Sequence, residues 1–188
     1  MLVLALCVIA VLSPLVAWRW PAGLVQRKWR WPILIWVALL LQIAAFRVEA
    51  LEDITEILHV LTYVVAGGFL WMNRDAAGIW IVAAGALSNG ITIALNGGVL
   101  PASQAATDAA GINPDPEHSN TAVLEDPVLP WLGDVFAWPA PMPLANTFSV
   151  GDVLIVVGVF VAAWSGSRRI GSGGAGDGNR TRAISLGS

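Results

Sequence analysis

Cysteine is all but missing from this chain of 188 residues: Cys7 stands alone, so no disulfide framework holds the fold. Histidine occurs twice, as His59 and His118, which leaves little room for a transition-metal site of ordinary ligand number. Charge is scarce as well, at 12% of residues, and between Gly97 and Thr147 there is no lysine or arginine at all. A net charge of −3 offers nothing to a nucleic-acid backbone, so no nucleic-acid partner is expected. Nucleophile-elbow, P-loop, dinucleotide-binding and paired-cysteine motifs are all absent, and no cofactor is expected.

What fills the chain instead is apolar: 56% of residues, at a mean hydropathy of +0.70. An ordinary globular domain carries about 25% charged residues, and these figures exclude disorder. They place the chain in a lipid bilayer. Five apolar stretches approach the roughly 20 residues that a membrane crossing needs. They run over residues 2–18, 32–46, 54–72, 78–95 and 148–165. The expected fold is therefore all-α: a membrane protein built as a bundle of about five transmembrane helices. A Pro-rich extracytoplasmic cap, residues 97–147, lies between helices four and five. The transmembrane domain covers residues 1–165, and residues 166–188, rich in Gly, Ser and Arg, form a disordered cytoplasmic tail.

Orientation follows from the basic residues. Arg19, Arg27, Lys28, Arg30, Arg74, Arg168, Arg169, Arg180 and Arg182 fall on one side by alternation, and only Arg47 on the other. The expectation is a multi-pass protein of the bacterial plasma membrane, with its N-terminus outside and its C-terminus in the cytoplasm. Tryptophans next to the basic loops agree with this orientation.

Polar residues inside these stretches are the candidate site. Glu52, Glu56, His59 and Tyr63 share a narrow stripe of the third helix. Asn89, Thr92 and Asn96 form a second stripe on the fourth. Glu56 and His59 make one E-x-x-H pair, a spacing that di-iron bundles use twice, so metal binding stays open. Ser149-Val150-Gly151-Asp152 has the form of a helix-capping box at the start of the fifth helix. Both stripes and Asp152 lie toward the same end. Glu56, His59, Asn89, Thr92, Asn96 and Asp152 are therefore expected to line one polar pocket, open outward or lidded by the segment carrying Asp134. A proton or hard cation is its expected occupant, with a purely structural hydrogen-bond network as the competing reading. Ala86, Gly90 and Ala94 have small-xxx-small spacing and suit close helix packing.

Asn96-Gly97-Gly98-Val99-Leu100-Pro101, Leu132-Gly133-Asp134 and Ser149-Val150-Gly151-Asp152-Val153-Leu154 occur in that order. The series resembles an uncharacterised bacterial membrane-protein family, a domain of unknown function, over roughly residues 85–164. Leu100 stands where methionine is commoner. The resemblance implies a polytopic membrane protein and supplies no activity. On this reading the chain is a non-enzymatic accessory or partner-binding membrane subunit. Its expected partners are the lipid bilayer and a membrane or extracytoplasmic protein. The alternative is a membrane-embedded enzyme or ion- or proton-coupled carrier using Glu56 and His59.

Overall fold

A computed structural model describes residues 2–47, 54–112 and 121–171. Its long helices are α1 (Leu2–Val16), α3 (Ile33–Arg47), α4 (Thr55–Met72), α5 (Ile79–Leu95) and α7 (Val150–Trp164), with short α2 (Ala22–Val25) and α6 (Gln104–Ala110). Short strands pair in twos. Antiparallel β1 (Arg19–Trp20) lies with β6 (Arg168–Arg169), and parallel β2 (Leu100–Pro101) with β3 (Thr121–Ala122). Antiparallel β4 (Phe136–Trp138) lies with β5 (Asn146–Phe148).

This mixture of helices and small sheets overturns the expected all-α transmembrane bundle. Among the described residues no helix is long and apolar enough to cross a membrane. The long helices have 15 to 18 residues, about 22–27 Å at 1.5 Å per residue, against a hydrocarbon core of about 30 Å. The multi-pass plasma-membrane placement, with its outside and cytoplasmic ends, falls with the bundle. The physical reason is that local chemistry stops several of the apolar runs short. Helix α1 ends before Trp18, whose φ of 53° is left-handed. Gly78, at φ 75°, opens α5, and the Ser149 hydroxyl caps α7. Asn73 closes α4 by donating to Phe69 O and reaching across to Arg30 O, each at 2.9 Å.

Helices α5 and α7 run antiparallel on a seam of glycines. A Cβ on Gly78 would meet Gly158 O at 2.1 Å, and one on Gly85 would meet Gly151 O at 2.4 Å. The two backbones therefore touch, and only glycine permits it. The small residues singled out for packing, Ala86, Gly90 and Ala94, face α4: Gly90 lies against the Tyr63 ring, and all three line the space between α4 and α5. Helix α1 packs on the other side of α7, with Trp164 Nε1 donating to Ser13 Oγ at 2.9 Å. Helix α3 packs on α4.

The two ends of the helix array carry opposite charge. The α1–α3 connection, the α4–α5 turn and the β6 segment meet at one end. Arg30 N donates to Asn73 Oδ1, Arg27 pairs with Asp75, and β1 pairs with β6. That end holds Arg19, Arg27, Lys28, Arg30, Arg74, Arg168 and Arg169, with Asp75 as the acid among them. The first residues of the expected tail, Arg168 and Arg169, are thus ordered in a sheet. Residues 172–188 lie outside the described residues.

The opposite end is covered by the segment between α5 and α7. Ser103 caps α6 by accepting from Ala106 N at 3.1 Å. Ala140 N donates to Ala110 O, which holds the end of β4 against α6. The cap is joined to the helices by Asn96, which donates to Val128 O at 2.9 Å and accepts from Val128 N at 2.7 Å.

Candidate functional site

The three motif segments meet at the capped end. Gly97 and Gly98 turn the chain off α5 with φ of 65° and 82°, a region that L side chains avoid. The turn feeds Leu100 and Pro101 into β2. Gly133 then comes so close to β2 that a Cβ would lie 2.0 Å from Pro101 O. That approach lets Asp134 N donate to Pro101 O at 2.8 Å, while Ser103 N donates to Asp134 O at 3.1 Å. The backbone of Asp134 is pinned on both sides.

The Asp134 side chain is 5% exposed. Its Oδ2 accepts from Thr147 Oγ1 at 3.2 Å and Thr121 Oγ1 at 3.3 Å. Its Oδ1 is buried and has no hydrogen-bond partner among the described residues. Burial, and after it the negative charge of Asp152, push this carboxyl up to about 7, against the downward pull of the two threonine hydroxyls. A carboxyl with that history changes charge near neutrality.

One layer deeper, α5 and α7 share a closed polar ring. Asn89 Nδ2 donates to Asp152 Oδ1, and Ser149 Oγ donates to Asn89 Oδ1, both at 2.9 Å. Ser149 and Asp152 complete a reciprocal capping box: Asp152 N donates to Ser149 Oγ and Ser149 N to Asp152 Oδ2, each at 3.0 Å. Gly151 makes room for the ring, because a Cβ there would meet Asn89 Oδ1 at 2.0 Å. The field of Asp152 reaches further. Burial raises the Tyr63 hydroxyl above its ordinary value, and the charges of Asp152 and Asp134 add to the shift. Burial likewise raises the Cys7 thiol, with Asp152 contributing.

The expected site residues therefore divide. Asn89 and Asp152 are in direct contact, and Asp134 sits in the covering segment within electrostatic reach of Asp152. Thr92, fully buried, returns its hydroxyl to Ser88 O of its own helix at 2.9 Å. Asn96 points to the cap backbone rather than into a pocket. His59 is 3% exposed on α4, and burial lowers its pKa, favouring the neutral ring. The side chain of Glu56 lies outside what the structure describes, as does Glu52 altogether. Ser149, Thr147 and Gly151 were missing from the expected set. The S-x-x-D spacing held the signal for Ser149, whereas nothing in the sequence links Thr147 to Asp134. Among the described residues no cluster of three metal-ligating side chains occurs.

A family of unknown function, DUF5317, matches residues 26–164. The chain belongs to that family. The DUF5317 match takes in α3 to α7, the cap and the whole polar ring, and stops at the last residue of α7. The chain is also similar to an uncharacterized protein of Thermotoga maritima, with 34% identity over 108 residues. That alignment covers 56% of this chain and 62% of the relative, so the chain spans less than two thirds of the relative's length. No solved structure matches.

Proposed function

We propose that this DUF5317 chain is a non-enzymatic accessory protein that binds a protein partner through its cap. The observation that carries the reading is the cap's surface. Val128, Trp131, Phe136, Met142 and Leu144 are each more than 40% exposed, on a segment clamped by backbone bonds and by Asn96. Trp131 is 63% exposed and follows Leu129, whose φ of 56° is left-handed, a conformation that costs a leucine on the order of 1–2 kcal/mol. Exposed aromatic and aliphatic side chains beside acids, here Glu125 and Asp126, suit a partner that offers an apolar surface with a basic rim. The three motif segments serve, on this reading, as the framework that holds those side chains in place.

Catalysis by the polar ring has less support. Asp152 and Asn89 use their side-chain atoms on each other and on Ser149, so the ring itself offers no free general base among the described residues. The test is purification of the tagged full chain from the cells that make it. One stoichiometric protein should be retained by the wild type and released by Trp131→Ala, while both chains melt alike. Repeated recovery of no stoichiometric partner, or of one indifferent to Trp131→Ala, contradicts the reading.

A further inference from the structure

Between α4 and α5 lies an apolar groove of about 420 Å³, away from the polar ring and the cap surface. It is open because its walls are small. Gly67, Ala83, Ala86 and Gly90 line it, and a Cβ on Gly67 would meet nothing within 4 Å. Along α5 the lining runs from Ile79 to Ala94, about 22 Å at 1.5 Å per residue. One leaflet of hydrocarbon is roughly half of a 30 Å core, so a single long acyl chain fits that length. Tyr63 supplies the lone polar side chain among lining residues that are otherwise aliphatic, tryptophan or glycine.

The groove is polarised. At the end beside the α4–α5 turn, Trp71 and Trp80 meet edge to face at 6.2 Å, and the Arg74 guanidinium lies 5.1 Å from the Trp71 ring centre. Arg74 has no carboxylate partner among the described residues, because Asp75 is taken by Arg27 at 2.6 Å and approached by Arg30 at 3.8 Å. The Arg74 guanidinium donates to Trp71 O at 3.2 Å and, with no ion pair among the described residues, stands beside the Trp71 that lines the groove, where it is matched by an anionic head on a hydrocarbon chain.

We infer that the α4–α5 groove is a binding site for a long-chain fatty acid, its carboxylate at Arg74 and its chain running past Gly67 toward Val60 and Ala94. The volume falls in the range of small-ligand sites, about 300–1,000 Å³. This inference goes beyond the partner reading of the cap and stands independently of it, since no cap residue lines the groove.

Isothermal titration calorimetry of the full chain with submicellar hexadecanoate tests it. One saturable site per chain is expected. Gly67→Leu, at a position where a Cβ would meet nothing within 4 Å, puts a side chain into the groove and should weaken binding about tenfold or more. Leu87→Glu, at a groove position 63% exposed, places a negative charge beside the chain and should also abolish saturation. Arg74→Gln should weaken hexadecanoate by about three- to tenfold and leave hexadecanol unchanged. Absence of saturable binding, self-association of the chain that closes the groove to hexadecanoate, or binding unchanged in both Gly67→Leu and Leu87→Glu overturns the site. Hexadecanol binding as tightly as hexadecanoate overturns the role given to Arg74.

Discussion

Asn89 on α5 and Asp152 on α7 are joined by a 2.9 Å hydrogen bond, although 63 positions separate them in the chain. The bond closes a ring with Ser149, whose hydroxyl donates to Asn89 Oδ1 and accepts from Asp152 N, at a place where two backbones already touch through Gly85 and Gly151. Polar satisfaction and close packing at this junction depend on each other. A buried ring that is complete stabilises one register of α5 against α7, and one that is broken leaves desolvated groups behind.

Asn89→Ala should therefore lower stability by about 2–3 kcal/mol, since it strands both the Ser149 hydroxyl and one oxygen of Asp152. Urea unfolding checks this through a reduced midpoint at an unchanged m-value. A loss under about 0.5 kcal/mol, the range of an ordinary surface substitution, would mean that the ring contributes little.

Glycine positions separate just as sharply. Gly151→Ala and Gly133→Ala drive a Cβ to 2.0 Å from an oxygen, and each should cost about 2–4 kcal/mol by overpacking. Gly67→Ala meets nothing within 4 Å and should instead stabilise α4 by about 0.5–1 kcal/mol. Thermal melts of the three variants give opposite signs if the contacts are as described.

Asp134 gives the protein a pH dependence of defined sign. Its folded pKa of about 7 lies above the roughly 3.9 of an unfolded aspartate, so the native chain keeps a proton that the unfolded chain releases. The associated stability is complete below about pH 4 and is lost as pH rises toward and through about 7, with a slope of up to about 1.4 kcal/mol per unit. Asp134→Asn removes the titration while keeping the shape. Its melting temperature should exceed the wild type's at pH 8 and converge on it near pH 4. Parallel curves across that range would show that this carboxyl does not titrate in the window.

Much of the local structure was legible in the chain. The apolar runs mark where the long helices lie, and Ser149 and Asp152 have capping-box spacing. What misled was the step from apolar run to membrane crossing. Hydropathy sums residue character, whereas helix length is fixed by stops such as Gly78, Asn73 and Trp18, whose partners or conformations lie outside any single run. The site shows the same division. Stripe geometry placed Asn89 near one end of its helix, but could not tell that its amide turns to α7, or that Thr92 and Asn96 serve their own helix and the cap backbone. Thr147 was invisible because its contact with Asp134 arises only when β5 folds beside the 130–134 turn.

The central claim is that three separated segments form one rigid platform, and amide hydrogen exchange tests it most directly. The amides of Ala102, Ser103 and Asp134 donate to Ala122, Asp134 and Pro101 within the cap, and that of Val128 donates to Asn96 Oδ1 at the end of α5. Their opening free energies should lie within about 1 kcal/mol of that of Ile93 in the core of α5, as expected of one cooperative unit. If these amides exchange like a loose loop while Ile93 stays protected, the cap is not held by the helices, and the platform and the partner site built on it are both contradicted.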